Sequence, residues 1–311
     1  MRDGTAGDHG LPPVAATPPV RLVATDLDGT LLRPDGSVSP RTVQAVLAAR
    51  AAGVHVVPVT GRPPHVTWDI ARQAGVGPYG VCSNGAAVID IVGQSIVEVV
   101  HIGADVALGF ITMLRELFPD ALFALEGLGV FTHETGFMDS QWAWAALDEH
   151  LVEVPDIAHA VGTTSYKLIM RRPGRSAREV LAELRREVAE SGHITSSGFD
   201  WVEIGAPGIS KAYAVERVCH RLGVRTAEVL AVGDNHNDLP VLAWAAQAAA
   251  PANAIPEVIS AVDRVLPAND EDGVAQLLEE VAEQALALRA ATDGPAGRPS
   301  LRPAAAPVHR P

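Results

Sequence analysis

The stretch Leu22–Leu32, LVATDLDGTLL, decides how the rest of the chain is read. Its first half continues an apolar run from Val20 with β-branched members, the pattern of a strand buried on both faces of a parallel sheet. The run ends in Asp26 and Asp28, one residue apart, followed by Gly29 and Thr30. Two carboxylates this close repel one another and resist desolvation. A metal ion, a phosphate site or exposure to water has to compensate them, and the remainder of the chain decides which.

On either side of that strand the pattern is β-α-β-α. After the turn-rich RPDGSVSP, the segment PRTVQAVLAARAAG places Val43, Val46 and Leu47 at helical spacing and stops at Gly53. VHVVPVT is a second buried strand ending at Thr60; Pro58 within it is a departure, uncommon in a central strand unless it falls near the strand end. A helix follows Pro63–Pro64 to Gly75, then a strand in YGVCSNGAAVID. This order predicts a parallel sheet with right-handed crossovers. After about residue 90 strands are more frequent (SIVEVVHI, ALFALEG, GVFTHE, SYKLIMRR), with helices near 104–118, 140–150 and 175–191. The first pattern resumes with the helix SKAYAVERVCHRLG, the strand EVLAVGD and a helix near 238–247. The expected fold is α/β: a doubly wound, Rossmann-like parallel-sheet core over 20–85 and 201–285, with an α+β domain inserted over 86–200. Residues 1–19 read as a disordered leader and 286–311, rich in Pro, Ala and Arg, as a flexible tail.

Composition narrows the function classes. With 311 residues and 48% hydrophobic content a sizeable core is available. A net charge of −13 argues against nucleic acid and against anionic membranes as partners. Residues 239–256 lack charge but are broken by Pro240, Pro251 and Pro256, so they read as a buried helix and strand, not a membrane span. Cys82 and Cys219 are far apart and in no CxxC pattern; no disulfide is expected, and a cytoplasmic location fits.

Ligands of open parallel sheets bind outside the C-terminal ends of the strands. The polar residues there are Asp26 and Asp28; Thr60, Gly61 and Arg62; and Asp234, Asn235, Asn237 and Asp238, with Lys211 at the start of the returning helix. An acidic set with one hydroxyl and one cation suits Mg²⁺, which takes oxygen ligands and is typically held by one or two carboxylates plus a substrate phosphate. Singly, each piece has a plainer explanation: Asp28–Gly29 as a turn, Lys211 as a solvated first-turn residue, Ser210 as an N-cap, His236 as an exposed loop histidine. Trp142 and Trp144 cannot share one helix face. Joint placement favours function.

In that combination the chain resembles the haloacid dehalogenase superfamily in its phosphatase form. DLDGTLL is similar to the first signature, VVPVTGR to the second, GISKAYAVERV to the third and GDNHNDLPVL to the fourth. The insertion lies where members with a large α+β cap (type IIB) carry it. CSNGAAV, APANA and DGVAQLLEE resemble the Cof-type subgroup. Ala212, where glycine is frequent, and Pro240, where members vary, are departures away from the reacting groups.

The resemblance implies an Mg²⁺-dependent phosphatase acting on a small phosphorylated metabolite, a sugar phosphate or similar, through an aspartyl-phosphate. Asp26 would be nucleophile and metal ligand. Asp28 would be general acid–base and give its backbone carbonyl to the metal, and Asp234 would be the third ligand. Thr60, Gly61, Lys211 and Asn237 would hold phosphate, with Arg62 and Asp238 in support. The phosphate would then be held wholly by the core and the cap would contact the leaving group. On SYKLIMRR, Lys167 and Arg171 share a face; solvated edge positions are the first expectation and leaving-group contacts the second. A phosphotransferase or phosphomutase on the same fold, and a non-catalytic phosphate-sensing regulator, are the alternatives; turnover of a generic aryl phosphate separates the last from an enzyme.

Overall fold

The computed structural model describes residues 18–138, 150–162, 164–187 and 194–292. In chain order the first elements are β1 (Leu22–Thr25), α1 (Pro40–Ala51), β2 (His55–Pro58), α2 (Pro64–Ala74), β3 (Tyr79–Cys82), β4 (Ala87–Asp90) and β5 (Ser95–Val99). Then come α3 (Ala104–Leu117), β6 (Leu122–Glu126), β7 (Val130–Glu134), β8 (His150–Val154), β9 (Lys167–Arg171), α4 (Ala177–Glu187), β10 (Ile194–Thr195) and β11 (Val202–Gly205). The chain returns through α5 (Lys211–Leu222), β12 (Val229–Val232), α6 (Leu239–Trp244), β13 (Gln247–Pro251), α7 (Pro256–Ile259), β14 (Arg264–Leu266) and α8 (Gly273–Thr292).

The helix boundaries have local causes. Ser39 accepts a hydrogen bond from the Thr42 N–H with Pro40 in the first turn, so α1 begins there. Gly75 and Gly223 end α2 and α5 in the left-handed conformation.

The core sheet is parallel in the order β14-β13-β12-β1-β2, and a parallel bridge from Val59 to Val81 carries it on to β3. Successive residues of β1 face opposite sides. Val23 joins Val46, Ala49, Leu277 and Leu278 on one face, while Leu22 and Ala24 join Val215, Val218, Val241 and Leu242 on the other. Helices therefore cover both faces, as an apolar run with no polar alternation requires. Order reverses at β1: the chain moves outward through β2 and β3, then returns on the far side through β12. That reversal opens the crevice in which such sheets bind ligands. Pro58 is the last residue of β2, where its missing N–H is tolerated.

A second sheet, β10-β11-β9-β6-β7-β8, is antiparallel except for β7–β8. Phe123, Leu125, Leu168, Met170, Val202 and Ile204 turn one face to α3 and α4. Sheet membership moves both joins. β4 and β5 pair with β3 and contribute Ala87, Val88 and Ile89 to the core clusters, whereas β11 belongs to the second sheet. We therefore place the joins near residues 100 and 206 instead of 86 and 201. Composition changes after about residue 90, but pairing partners, which composition does not carry, set the boundary. Helix α8 runs on to Thr292, past the expected start of the tail at 286. Residues 1–17 of the expected leader, 293–311 of the tail and the helix near 140–150 with Trp142 and Trp144 lie outside the described residues.

Among the described residues, no helix is long and apolar enough to cross a membrane. Residues 239–256 form α6 and β13, as read from their prolines. Cys82 and Cys219 are buried and unlinked.

Candidate active site

Asp26 follows directly on β1, and its backbone N–H donates to Val232 O of β12 at 2.9 Å. The chain then turns sharply. Asp28 (φ −75°, ψ 124°) and Gly29 (φ 75°, ψ −4°) have the dihedrals of a type II turn, which needs a positive φ at its second central residue. Gly29 is required for a second reason: a Cβ there would lie 2.5 Å from Asp234 Oδ2. Gly29→Ala is expected to lower the melting temperature by about 4 °C or more, because backbone strain and the clash act together. An unchanged melting curve would contradict this close approach.

Asp234 stands beyond β12. Its Oδ1 accepts from Thr30 Oγ1 at 2.6 Å. Lys211, 1% exposed, occupies the first position of α5. Its Nζ donates to Asp26 Oδ1 at 2.7 Å and to Asp238 Oδ1 at 2.6 Å. Ser210 caps this helix by accepting from Tyr213 N–H, and a Cβ on Gly85 would lie 2.1 Å from the Ser210 carbonyl. Lys211 is thus buried at the site and not a solvated first-turn residue.

Asp26, Asp234 and Asp238 each present an oxygen within 4.8 Å of the others. Asp238 is fully engaged: Lys211 takes Oδ1, and Oδ2 accepts from the N–H groups of Asp234 and Asn235, both at 3.0 Å. It braces the 234–238 turn. His236, within that turn, is buried and not an exposed loop histidine.

Burial pushes Asp26 well above the ordinary carboxylate range; Lys211 pulls the other way, while Asp238, Asp234 and Asp28 add to the rise. Burial, with Asp238 beside it, pushes Asp234 up to about 7 against the Thr30 hydrogen bond. Burial alone would depress Lys211, but Asp238 and Asp26 overcome it and raise its ammonium. Two buried carboxylates that resist ionisation, with no oxygen of Asp238 to spare, fit a hard divalent cation bound between Asp26 and Asp234.

The other expected residues occupy the adjoining strand ends. Arg62 clamps Asp28 in a fork, Nε to Oδ2 at 2.7 Å and Nη2 to Oδ1 at 2.6 Å. Thr60 is fully buried, and its Oγ1 accepts from the Arg62 N–H at 3.1 Å. Asn237 Nδ2 donates to Asn84 Oδ1 at 3.0 Å, so Asn237 reaches the Thr60 loop through Asn84. Asn84 was not singled out in the sequence. Its signal is an asparagine in SNG at a strand end, and it adopts φ 56°, which asparagine tolerates better than most residues.

Lys167 departs most from expectation. Strand β9 lies inside its sheet, between β11 and β6. Lys167 is 3% exposed and pairs with Glu203 and Glu126. It is neither a solvated edge residue nor open to a leaving group. Arg171, at the far end of the strand, donates to the Phe137 carbonyl. Three charges set in apolar strands, Glu126, Lys167 and Glu203, are the sequence signal of this cluster.

A sequence model of the haloacid dehalogenase-like hydrolases matches residues 23–278. Pyridoxal phosphate phosphatase YbhA of Escherichia coli is 27% identical over 270 residues, covering 83% of this chain and 97% of that protein. The 5-amino-6-(5-phospho-D-ribitylamino)uracil phosphatase YcsE of Bacillus subtilis is 28% identical over 265 residues, covering 83% and 94%. Among solved structures, SMU.1108c of Streptococcus mutans superposes with a TM-score of 0.73 at 22% identity, covering 84% of this chain and 98% of that one. The subclass IIB sugar phosphatase BT4131 superposes with a TM-score of 0.70 at 18% identity, covering 84% and 98%. With the signature segments meeting at one end of a doubly wound sheet beneath a second α+β sheet, this chain belongs to the haloacid dehalogenase-like hydrolase family.

Proposed function

We propose that this chain is an Mg²⁺-dependent phosphatase that hydrolyses a small phosphorylated metabolite through a phosphoryl group carried on Asp26. The observation that carries the reading is the buried set Asp26, Asp234 and Asp238 braced by one ammonium, Lys211. The relatives named as phosphatases of pyridoxal phosphate and of a phosphoribitylaminouracil support the substrate class. Two buried, unlinked cysteines fit a reducing cytoplasm.

Asp26 Oδ attacks phosphorus in line, the bond from phosphorus to the ester oxygen breaks, and that oxygen takes a proton from Asp28. Water then gives a proton to Asp28 as its oxygen attacks phosphorus. The Asp26–phosphorus bond breaks and inorganic phosphate leaves, restoring both carboxyl groups. Lys211 offsets charge on Asp26 and on the transferring oxygens. The Thr60 hydroxyl, the Gly61 N–H and Asn237 hold those oxygens. Asp26, Asp234 and the Asp28 backbone carbonyl would hold Mg²⁺, which supplies charge neutralisation to the phosphoryl group. Both Asp28 oxygens accept from Arg62, so Arg62 must release one, and that oxygen must take up a proton from solvent, before Asp28 can protonate the leaving oxygen.

Phosphate release from a panel of phosphorylated metabolites, with 4-nitrophenyl phosphate as generic substrate, tests the reading. Turnover is expected with Mg²⁺ and lost in excess chelator. Ca²⁺ is expected to inhibit: it takes more ligands at longer distances and accepts both oxygens of a carboxylate, which would occupy the attacking atom of Asp26. Equal rates with both ions, or full activity in chelator, would refute the assignment of Asp26 and Asp234 as ligands.

A further inference from the structure

The face of the cap sheet opposite α3 and α4 carries a buried ionic cluster that the mechanism above does not use. Lys167 and Glu126 are register partners on β9 and β6, and Glu203 on β11 pairs with Ile169, two residues along β9. Side chains two apart on a strand share a face. Lys167 Nζ donates to Glu203 Oε1 at 2.7 Å and lies 3.2 Å from Glu126 Oε2. Its third contact crosses to the core: it donates to the Gly61 carbonyl at 2.9 Å. An ammonium has three donors, and all three are placed. The carboxylates are tied to the core in turn. Ser83 Oγ donates to Glu126 Oε1 at 2.6 Å, and Asn84 Nδ2 donates to Glu203 Oε2 at 2.8 Å.

One buried cation with two carboxylates is a poor way to gain stability, since apolar groups of similar volume often do as well or better. What the cluster does supply is orientation. The Gly61 carbonyl and the Arg62 N–H belong to one planar peptide. With its oxygen held by Lys167, that peptide aims the Arg62 N–H at Thr60 Oγ1, 3.1 Å away. Thr60 is otherwise fixed by its N–H to Val81 O at 2.9 Å and by Asn84 N–H to its own carbonyl at 3.1 Å. A threonine hydroxyl has one proton to give and two lone pairs to accept with. Acceptance from Arg62 leaves that proton for an anionic oxygen.

We propose that Lys167 is a positioning residue for phosphoryl binding: from the cap sheet it sets the Gly61–Arg62 peptide, and through it the direction in which the Thr60 hydroxyl faces the substrate. The proposal rests on the reading of Thr60 as a phosphate contact. It makes the cap a contributor to phosphate binding as well as to the leaving-group side.

A double-mutant cycle between Lys167 and Thr60 tests it. All proteins carry Glu203→Gln, so that Lys167→Met strands no obligatory carboxylate; Glu126, which burial pushes upward against the pull of Lys167, can take up a proton. Turnover of 4-nitrophenyl phosphate with Mg²⁺ and competitive inhibition by inorganic phosphate are measured on protein shown to be folded by its melting curve. Thr60→Val is expected to lower kcat/KM by about tenfold or more, as loss of one oriented donor does. If it is silent, the reading of Thr60 fails and the proposal with it, while turnover by the parent protein still supports the phosphatase assignment. Lys167→Met is expected to cost about tenfold in kcat/KM, with a matching rise in the inhibition constant of inorganic phosphate, because misplaced contacts weaken both. In the Thr60→Val protein the same change should cost less than about twofold, which is the non-additivity of residues acting as one unit. Additive losses would overturn the proposal, because a merely structural role of Lys167 would weaken both backgrounds alike. If Lys167→Met does not fold, Lys167→Gln takes its place in the same cycle. If neither folds while Glu203→Gln does, Lys167 is a structural strut and the proposal falls.

Discussion

Asp26→Asn is expected to lower turnover by about 10³-fold or more while the protein stays folded, because the amide keeps the size of the side chain and removes the proposed nucleophile. The same change should not lower the melting temperature of the metal-free protein. Burial holds the Asp26 carboxyl well above its ordinary range in spite of Lys211, with Asp238, Asp234 and Asp28 adding to the effect. Its ionised form is therefore the costly one, and asparagine removes that cost. Lys211 keeps Asp238 as a partner at 2.6 Å. In the parent protein Mg²⁺ should raise the melting temperature by binding the folded state alone; in Asp26→Asn that rise should shrink or vanish. Turnover within tenfold of the parent would show that Asp26 is not the nucleophile. An undiminished Mg²⁺ shift would remove it from the metal ligands.

Lys211→Met should be damaging in a different way. The ammonium is buried and bridges Asp26 and Asp238. Its loss leaves three carboxylates within 4.8 Å of one another with no resident cation. Removing one member of a buried charged network costs about 3–5 kcal/mol. The loss of an oriented cation at the transferring phosphoryl group should lower kcat by about 10²-fold or more. Mg²⁺ should restore part of the stability, since Asp26 and Asp234 regain a counter-charge, but not the rate. Melting curves with and without Mg²⁺, alongside phosphate release, read both effects. A melting temperature and kcat close to the parent's would show that Lys211 is a spectator.

How far these expectations were legible differs from residue to residue. Asp26 and Asp234 stand at the ends of apolar runs, and a parallel sheet puts the ends of all its strands on one edge. Carboxylates 208 positions apart in the chain could therefore be placed together before any coordinates were known. Lys211 follows a capping serine at the start of a helix that packs on that sheet, so its position, though not its burial, was also readable. Pairings between side chains from different strand ends were not. Arg62 could have faced solvent, and its fork onto Asp28 depends on the turn that Gly29 permits.

Lys167 shows the limit most clearly. Its spacing within SYKLIMRR specifies which face of a strand it occupies. Whether that face is wet depends on what lies across from it, and Glu126, Glu203 and the Gly61 carbonyl come from three other parts of the chain. The joins near residues 100 and 206 have the same origin, because a strand's sheet is chosen by its partner and not by its own composition. By itself the sequence determined the doubly wound core, the insertion and the strand-end acids, since apolar periodicity and turn residues are local properties of the chain. Only the tertiary structure decided which charges are buried, which are paired and how the cap reaches the Thr60–Arg62 turn, since each of those depends on contacts between segments distant in sequence.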